Sequence, residues 1–256
     1  MKQISAPIVS NSEVMPGMHL IWVAATEMAT LCHPGQFVMV RTKGSLDPLL
    51  RRPLSVHRTA PSRLAFFFQV VGKGTAWLSR RKPGEALDLL GPLGQGFHLD
   101  SKAKRVLLVA GGMGVAPLVF LAQRAMEKGL EATLLVGART KERLYPLELL
   151  PPGLKTVIAT EDGSSGDRGL ATDMLPGLLA EAEQVFACGP LGMLRAMARM
   201  PELKDKPVHV SLELRMGCGF GVCLGCSVPA GNGNRLVCRD GPVFLLNEVN
   251  WDGVEL

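Results

Sequence analysis

Four of the six cysteines fall between Cys218 and Cys238, and their spacing, C-x4-C-x2-C-x11-C, constrains this chain more than any other stretch. Three thiols in C-x4-C-x2-C with a more distant fourth is the arrangement that holds a plant-type [2Fe–2S] cluster. Glycines alternate with the thiols at Gly217, Gly219, Gly221 and Gly225. A residue without Cβ takes positive φ freely, so such a loop can wrap a compact inorganic core and turn N–H groups toward its sulfurs. Cys218, Cys223, Cys226 and Cys238 are therefore the candidate metal ligands. Two other readings stay open from spacing alone. Zinc sites combine two C-x2-4-C pairs or mix Cys with His, and only one tight pair exists here. Pairing as disulfides is the other. The cluster reading implies one-electron chemistry in the C-terminal part of the chain.

At 256 residues, with 47% hydrophobic and 20% charged, the chain can bury cores for two modest domains plus a small cluster module. The net charge of +5 is carried without a long Lys/Arg run. Arg51-Arg52 and Arg80-Arg81-Lys82 are short clusters suited to a solvated face or a phosphate, so no nucleic-acid partner is expected. The N-terminal MKQISAPIVS has no apolar core, so no secretory leader is expected. Thiols reserved for metal suit a reducing, cytoplasmic setting. From Val106 to Ala122 there is no charge, at the lower edge of a membrane span. Gly111, Gly112, Gly114 and Pro117 divide that run into a strand-like and a helix-like half, which predicts a buried strand–turn–helix and no membrane anchor.

Residues 1–100 read as strands. The runs 19–25, 36–41 and 63–71 are short, β-branched or aromatic, and are punctuated by Pro16-Gly17, Pro34-Gly35, Pro61 and Pro83-Gly84. Such spacing predicts a small antiparallel barrel, with one short helix over 75–81. Two segments carry chemistry. Arg52-Pro53-Leu54-Ser55 can place a guanidinium on a phosphate with a hydroxyl nearby. Gly72-Lys73-Gly74-Thr75 opens the helix, where free N–H groups and the Thr75 hydroxyl suit a pyrophosphate. Each motif alone is also an ordinary turn and cap. Nothing here anchors a flavin covalently.

Over residues 101–208 the period changes. Arg105–Ala110 is a continuous apolar run, as expected for a parallel strand covered on both faces. A Gly111-Gly112-Met113-Gly114 turn leads into Leu118, Val119, Ala122, Ala125 and Met126 at helical spacing. Strands at 133–137, 156–160 and 184–188 alternate with helices at 171–182 and 192–200, which predicts a doubly wound parallel sheet with ligands at the strand carboxyl ends. Gly111, Gly112, Gly114 and Pro117 place a glycine turn at a helix start, where a pyrophosphate is electrostatically welcome. Cys188-Gly189-Pro190 ends a later strand, read either as a buried structural thiol before a turn or as a group beside a nicotinamide. Thr160–Ser164 ends another strand at the same edge. Cys32 is given no role. Residues 209–256 form the cluster module.

The sequence resembles the ferredoxin–NADP reductase superfamily, and within it the electron-transfer subunits of class 1B dihydroorotate dehydrogenases. The resemblance covers nearly the whole chain and rests on R-R-P-L-S, G-K-G-T, L-G-P-L-G-Q-G-F, G-G-M-G-V-A-P-L, A-C-G-P-L-G-M-L and, above all, S-L-E-L-R-M-G-C-G-F-G-V-C-L-G-C. It implies a flavin-binding antiparallel β-barrel, a doubly wound NAD-binding domain and a [2Fe–2S] module. It implies FAD lined by Arg52, Pro53, Leu54 and Ser55, with Phe67, Phe68 and Gln69 along it and Gly74 and Thr75 on its pyrophosphate. NAD would be received by Gly111, Gly112, Gly114, Pro117, Cys188, Gly189 and Pro190. Leu54 stands where many members have Tyr, and Gln69 where Arg is frequent. The implied path runs from dihydroorotate to FMN in a catalytic partner subunit, across the cluster to FAD, and as hydride to NAD⁺, in a heterotetramer with two of each subunit serving pyrimidine biosynthesis. An NADH-dependent ferredoxin–NADP oxidoreductase or sulfhydrogenase subunit follows the same plan. Arg139-Thr140-Lys141 keeps NADP open. A zinc-bearing regulatory or assembly protein on this fold is the third reading.

Overall fold

Along residues 86–93 buried and half-buried positions alternate, with Leu87, Leu89 and Leu93 turned inward, the period of a strand with one face on a core. Strands of this kind close a barrel in the computed structural model, which describes residues 1–42, 49–231 and 233–254. The barrel comprises β1 (Lys2–Met15), β2 (Met18–Ala24), β3 (Phe37–Val40), β4 (Arg52–Ala60), β5 (Arg63–Gln69) and β6 (Ala86–Leu93), in the order β1-β2-β5-β4-β3-β6. Helices α1 (Thr26–Leu31) and α2 (Lys73–Ser79) lie in its connections. β1 and α1 carry weak sequence signals. Only Ala6, Ile8 and Met15 of β1 are buried, and six residues of α1 are too few to display a helical period.

β5 shows why 64–68 is apolar without a break. Leu64, Phe66 and Phe68 enter the barrel core, while Ala65 and Phe67 join the core of the second domain. The strand is covered on both sides, so alternation vanishes. Each large side chain so buried is worth about 1.5–3 kcal/mol.

The second domain is a sheet in the order β10-β9-β8-β7-β11-β12-β15. Its strands are β7 (Arg105–Gly111), β8 (Glu131–Ala138), β9 (Lys155–Thr160), β10 (Asp167–Arg168), β11 (Gln184–Cys188), β12 (Val208–Ser211) and β15 (Val243–Leu245). All pair in parallel except β15, which runs antiparallel to β12. Val106, Leu108 and Ala110 of β7 pack with α3 (Val115–Glu127), and Leu107 and Val109 pack on the other face with α4 (Ala171–Leu179). α5 (Leu191–Ala198) follows β11. The expected strand–turn–helix at 106–122 is therefore β7 and α3. Among the described residues no helix is long and apolar enough to cross a membrane. The chain leaves β7 toward β8–β10 on one side and returns to β11–β12 on the other, so the order reverses between β7 and β11. Ligands of such sheets bind at that reversal, beyond the strand carboxyl ends.

The cysteine segment is an excursion between the last two strands of this sheet. It contains the ribbon β13 (Ser227–Ala230) and β14 (Gly233–Leu236), paired antiparallel. Gln95 bridges Pro242, and its N–H donates to the Gly241 carbonyl at 2.5 Å, tying the excursion to the end of the barrel. Cys226, Val228, Leu236 and Cys238 share one core with Met39 of β3 and Val210 of β12.

Candidate functional site

Barrel and sheet meet around a cavity of about 1080 Å³, above the roughly 300–1,000 Å³ that suits one small ligand. Arg52, Pro53, Leu54 and Ser55 of β4, Phe67, Phe68 and Gln69 of β5, and Thr75 of α2 form one wall. Gly111 and Gly114 after β7, with Gly189 and Pro190 after β11, form the opposite one. Two groups of residues far apart in the chain thus face one space.

Local structure explains what each can offer. The neighbouring arginines have different tasks. Arg51 donates to the Asp88 carboxylate at 2.9 Å and to its carbonyl at 3.1 Å, bracing the barrel. Both arginines line the cavity, and Arg52 makes no ion pair among the described residues, its Nη1 steadied by the Leu50 carbonyl at 2.6 Å. Gly74 does not line the cavity but lies behind it: a Cβ there would stand 2.8 Å from Arg52 Nε and 3.1 Å from Thr42 Oγ1. Thr42 Oγ1 is buried and has no hydrogen-bond partner among the described residues. The Arg52 guanidinium on this wall fits a phosphate group of a dinucleotide, and the Phe67–Phe68 stretch of β5 gives the wall an apolar edge suited to a flat ring system. Thr75 Oγ1 accepts from the N–H groups of Val71 at 2.9 Å and Gly72 at 3.2 Å, so this hydroxyl caps its own helix.

On the sheet side the two turns touch backbone to backbone. A Cβ on Gly111 would lie 2.8 Å from Pro190 Cδ, and one on Gly114 only 1.8 Å from the Cys188 carbonyl oxygen. Gly112 sits exposed at positive φ, and Pro117 is buried inside α3. The Cys188 thiol is buried and does not face the cavity; its neighbours Gly189 and Pro190 do. Burial, aided by the charge of Glu213 and opposed by a hydrogen bond from Ser211, holds that thiol well above the usual range. Glu213 was given no role by its sequence, yet it lines the cavity, with its side chain exposed there.

The four cysteines of the loop converge as two neighbouring pairs. Cys218 contacts the Cys223 thiol, and Cys238 contacts that of Cys226 while sensing Cys218. Among the described residues no three Cys, His, Asp or Glu side chains close on a single ion; the C-x4-C-x2-C spacing of these thiols is that of a plant-type [2Fe–2S] site. Backbone N–H groups already point at sulfur: Gly221 at Cys238 Sγ (3.1 Å), Val222 and Phe220 at Cys218 Sγ (3.3 and 3.4 Å), and Cys238 at Cys226 Sγ (3.4 Å). Burial opposes ionisation of Cys218, but the N–H groups of Cys223, Phe220 and Val222 outweigh it and hold this thiol down to about 6. Burial and the neighbouring Cys226 push Cys238 up to about 12. Gly219, at φ +85°, brings the loop against the barrel, where a Cβ would strike Met39 Cγ at 2.5 Å. On the outer side Phe220, Val222 and Leu224 are 42%, 71% and 63% exposed, an unusual concentration of bare apolar side chains.

Residues 213–250 match the iron–sulfur cluster binding domain of dihydroorotate dehydrogenase B. The whole sequence is similar to proteins named dihydroorotate dehydrogenase B (NAD(+)), electron transfer subunit. Identity is 40% with that of Geobacillus sp. (strain WCH70), over 97% of this chain and 99% of the relative. It is 43% with that of Bacillus caldolyticus, over 84% and 86%. Among solved structures, an NADH-dependent reduced ferredoxin-NADP oxidoreductase, studied for flavin-based electron bifurcation, superposes with a TM-score of 0.87 at 31% identity, covering 96% of this chain and 90% of that one. A ferredoxin reductase of carbazole 1,9a-dioxygenase shares the fold at a TM-score of 0.69 and 21% identity, covering 82% and 68%.

Proposed function

Because the chain belongs to the family of dihydroorotate dehydrogenase B electron transfer subunits, we propose that it joins a partner's dihydroorotate oxidation to NAD⁺ through one continuous site. It is a flavin and iron–sulfur oxidoreductase subunit that works with FAD, a [2Fe–2S] cluster and NAD⁺ beside a dihydroorotate dehydrogenase catalytic subunit. The carrying observation is that the thiol loop, the barrel wall and the sheet's reversal point adjoin one another, with Gly219 packed on Met39 and the cavity spanning β4, β5, β7 and β11.

In this reading residues 1–100 hold FAD, residues 101–208 receive NAD⁺ and residues 209–256 hold the cluster. Arg52 takes a phosphate with Gly74 and Thr42 packed behind it, while Pro53, Leu54, Ser55, Phe67, Phe68 and Gln69 bound the flavin. Thr75 fixes the turn beside them. Gly111, Gly112 and Gly114 with Gly189 and Pro190 admit the nicotinamide nucleotide, Pro117 lies in the first turn of α3, and Cys188 supports the turn from below. Cys218 with Cys223, and Cys226 with Cys238, are the two thiolate pairs. The flavin supplies the exchange between one-electron and two-electron steps; the protein binds, spaces and shields. The partner is an FMN-bearing subunit, two copies of each forming the assembly, and it docks on the apolar rim of the cluster loop.

The similarity to the ferredoxin-NADP oxidoreductase supports a second reading, in which NADP is the nucleotide. The segment Arg139–Lys141 after β8 is flanked by Glu142 and Asp162. A hydrogen bond from Thr140 holds the Glu142 carboxyl low, and one from Ser164 does so for Asp162. With Glu161 these carboxylates balance Arg139, Lys141 and Arg143, leaving no surplus of positive charge for a 2′-phosphate, which supports NAD⁺.

The test is reconstitution. Purified chain should show flavin and iron–sulfur absorbance and reduce dyes with NADH, yet oxidise no dihydroorotate. Adding the FMN-bearing partner should restore dihydroorotate-to-NAD⁺ transfer, and Phe220→Asp should weaken that coupling while sparing dye reduction. Dihydroorotate turnover by the chain alone would refute the division of labour, and equal efficiency with NADPH would favour the second reading.

A further inference from the structure

His57 lies on β4 two residues beyond Ser55, and its side chain is wholly buried. The pairing of β4 with β5 slips by one residue between Val56 and Arg58, a bulge that leaves His57 unpaired and re-aims it. Val56 stays in the barrel core, while the His57 ring reaches into the second domain. Its Nδ1 is 2.8 Å from the carbonyl of Ala116, in the first turn of α3, and its Nε2 is 2.9 Å from the Tyr145 hydroxyl. A carbonyl only accepts, so Nδ1 carries the proton, and Nε2 accepts from Tyr145. Phe67 closes the group, its ring 5.6 Å from His57 and edge-on to Tyr145 at 5.1 Å. Phe67 and Ala116 both line the cavity, one on each wall.

We propose that His57 is a positioning residue for hydride exchange, a neutral two-ended latch that fixes the spacing between the flavin wall and the nicotinamide wall. It touches neither ligand; it acts through Ala116 and Phe67. The inference rests on the assignment of FAD to the barrel wall and NAD⁺ to the glycine turns. Reacting atoms must approach to roughly 3–3.5 Å, and a misplacement of about 1 Å can cost about 10²-fold in rate. A latch of two directed hydrogen bonds across the seam holds that tolerance better than apolar packing, which permits sliding.

The experiment compares wild type, His57→Phe, His57→Gln and Tyr145→Phe as full chains loaded with flavin and cluster. Stopped-flow flavin absorbance gives the limiting rate of reduction by NADH and the NADH dissociation constant. Amide hydrogen exchange over 113–120 and 142–149, measured without nucleotide, reports the latch independently of turnover. His57→Phe should slow the limiting rate by about 10²-fold with a dissociation constant within about threefold of wild type, and should raise exchange in both segments. His57→Gln, which can donate to Ala116 and accept from Tyr145, should recover most of both. Wild-type rates and exchange in His57→Phe would overturn the latch. If that variant loses flavin, Tyr145→Phe decides: unchanged rate and exchange overturn the proposal, whereas slower reduction with faster exchange supports it. A wild-type protein whose flavin NADH does not reduce would instead refute the underlying ligand assignment.

Discussion

Gly114→Ala separates the role of the two touching turns from every other property of the site. The backbone at Gly114 is right-handed helical, φ −60° and ψ −13°, which alanine adopts freely. Only space forbids the methyl. It would lie 1.8 Å from the Cys188 carbonyl oxygen, 2.2 Å from its carbon and 2.7 Å from the Gly189 nitrogen. Carbon atoms do not approach within 3.0 Å, so the turns must part by about 1.2 Å against the β7–β11 ladder, and overpacking of this kind costs about 1–3 kcal/mol. At roughly 2–4 °C per kcal/mol for a chain of this size, the melting temperature should fall by about 2–12 °C. The limiting rate of flavin reduction by NADH should fall by about 10²-fold, as a displacement near 1 Å in the nicotinamide wall implies. Flavin content should hold, since the barrel wall is untouched. Gly192→Ala is the control: it sits in α5 with nothing within 4 Å of the added methyl, and should stabilise by about 0.5–1 kcal/mol. Thermal melts and stopped-flow reduction on both variants check this. A Gly114→Ala protein that melts and reacts like wild type would refute the close approach and the placement of NAD⁺ built on it.

Other perturbations probe the remaining parts. Cys223→Ser should remove iron and acid-labile sulfide together, because an alkoxide replaces a soft thiolate poorly, while FAD and NADH-dependent dye reduction persist; retention of the full cluster spectrum would refute the ligand set. Arg52→Ala removes a charge-assisted contact of about 1.5–3 kcal/mol, so flavin titration should show about 10- to 150-fold weaker binding. Burial, against the Ala116 hydrogen bond and with the charge of Arg58, lowers the His57 pKa to about 3 from an ordinary 6.5. The unfolded chain therefore takes up a proton below pH 6.5 that the native state refuses. The stability held by neutral His57 is complete above 6.5 and is lost as pH falls toward 3, by up to about 1.4 kcal/mol per pH unit. Melting curves from pH 7 to pH 4 should fall more steeply for wild type than for His57→Gln, and parallel curves would refute the burial argument.

Some of this protein is written in local chemistry. Cys218, Cys223 and Cys226 lie within nine residues, so their ligand types, spacing and interleaved glycines can be read without knowing any long-range contact. The same holds for β7, its glycine turn and α3, because an unbroken apolar run followed by a helical period depends only on which faces are covered. Arg52–Ser55, which opens β4, and Gly189-Pro190 were legible as segments of suitable chemistry, but not as opposite walls of one cavity. Which residue of each turn faces the ligand was not legible either. Cys188 is buried beneath its turn while its two successors face the cavity, and Thr75 spends its hydroxyl on its own helix. Thr42 and His57 carry no motif at all, and Glu213 sits inside the cluster motif with nothing in it to mark a cavity residue. The partners of His57 lie 59 and 88 residues away, and a one-residue bulge aims it at them. Sequence patterns record the period of an element and the chemistry of a local loop, because both are set by neighbours along the chain. What faces what across the seam is set by closure of the barrel and its docking on the sheet, where packing through space selects the contacts.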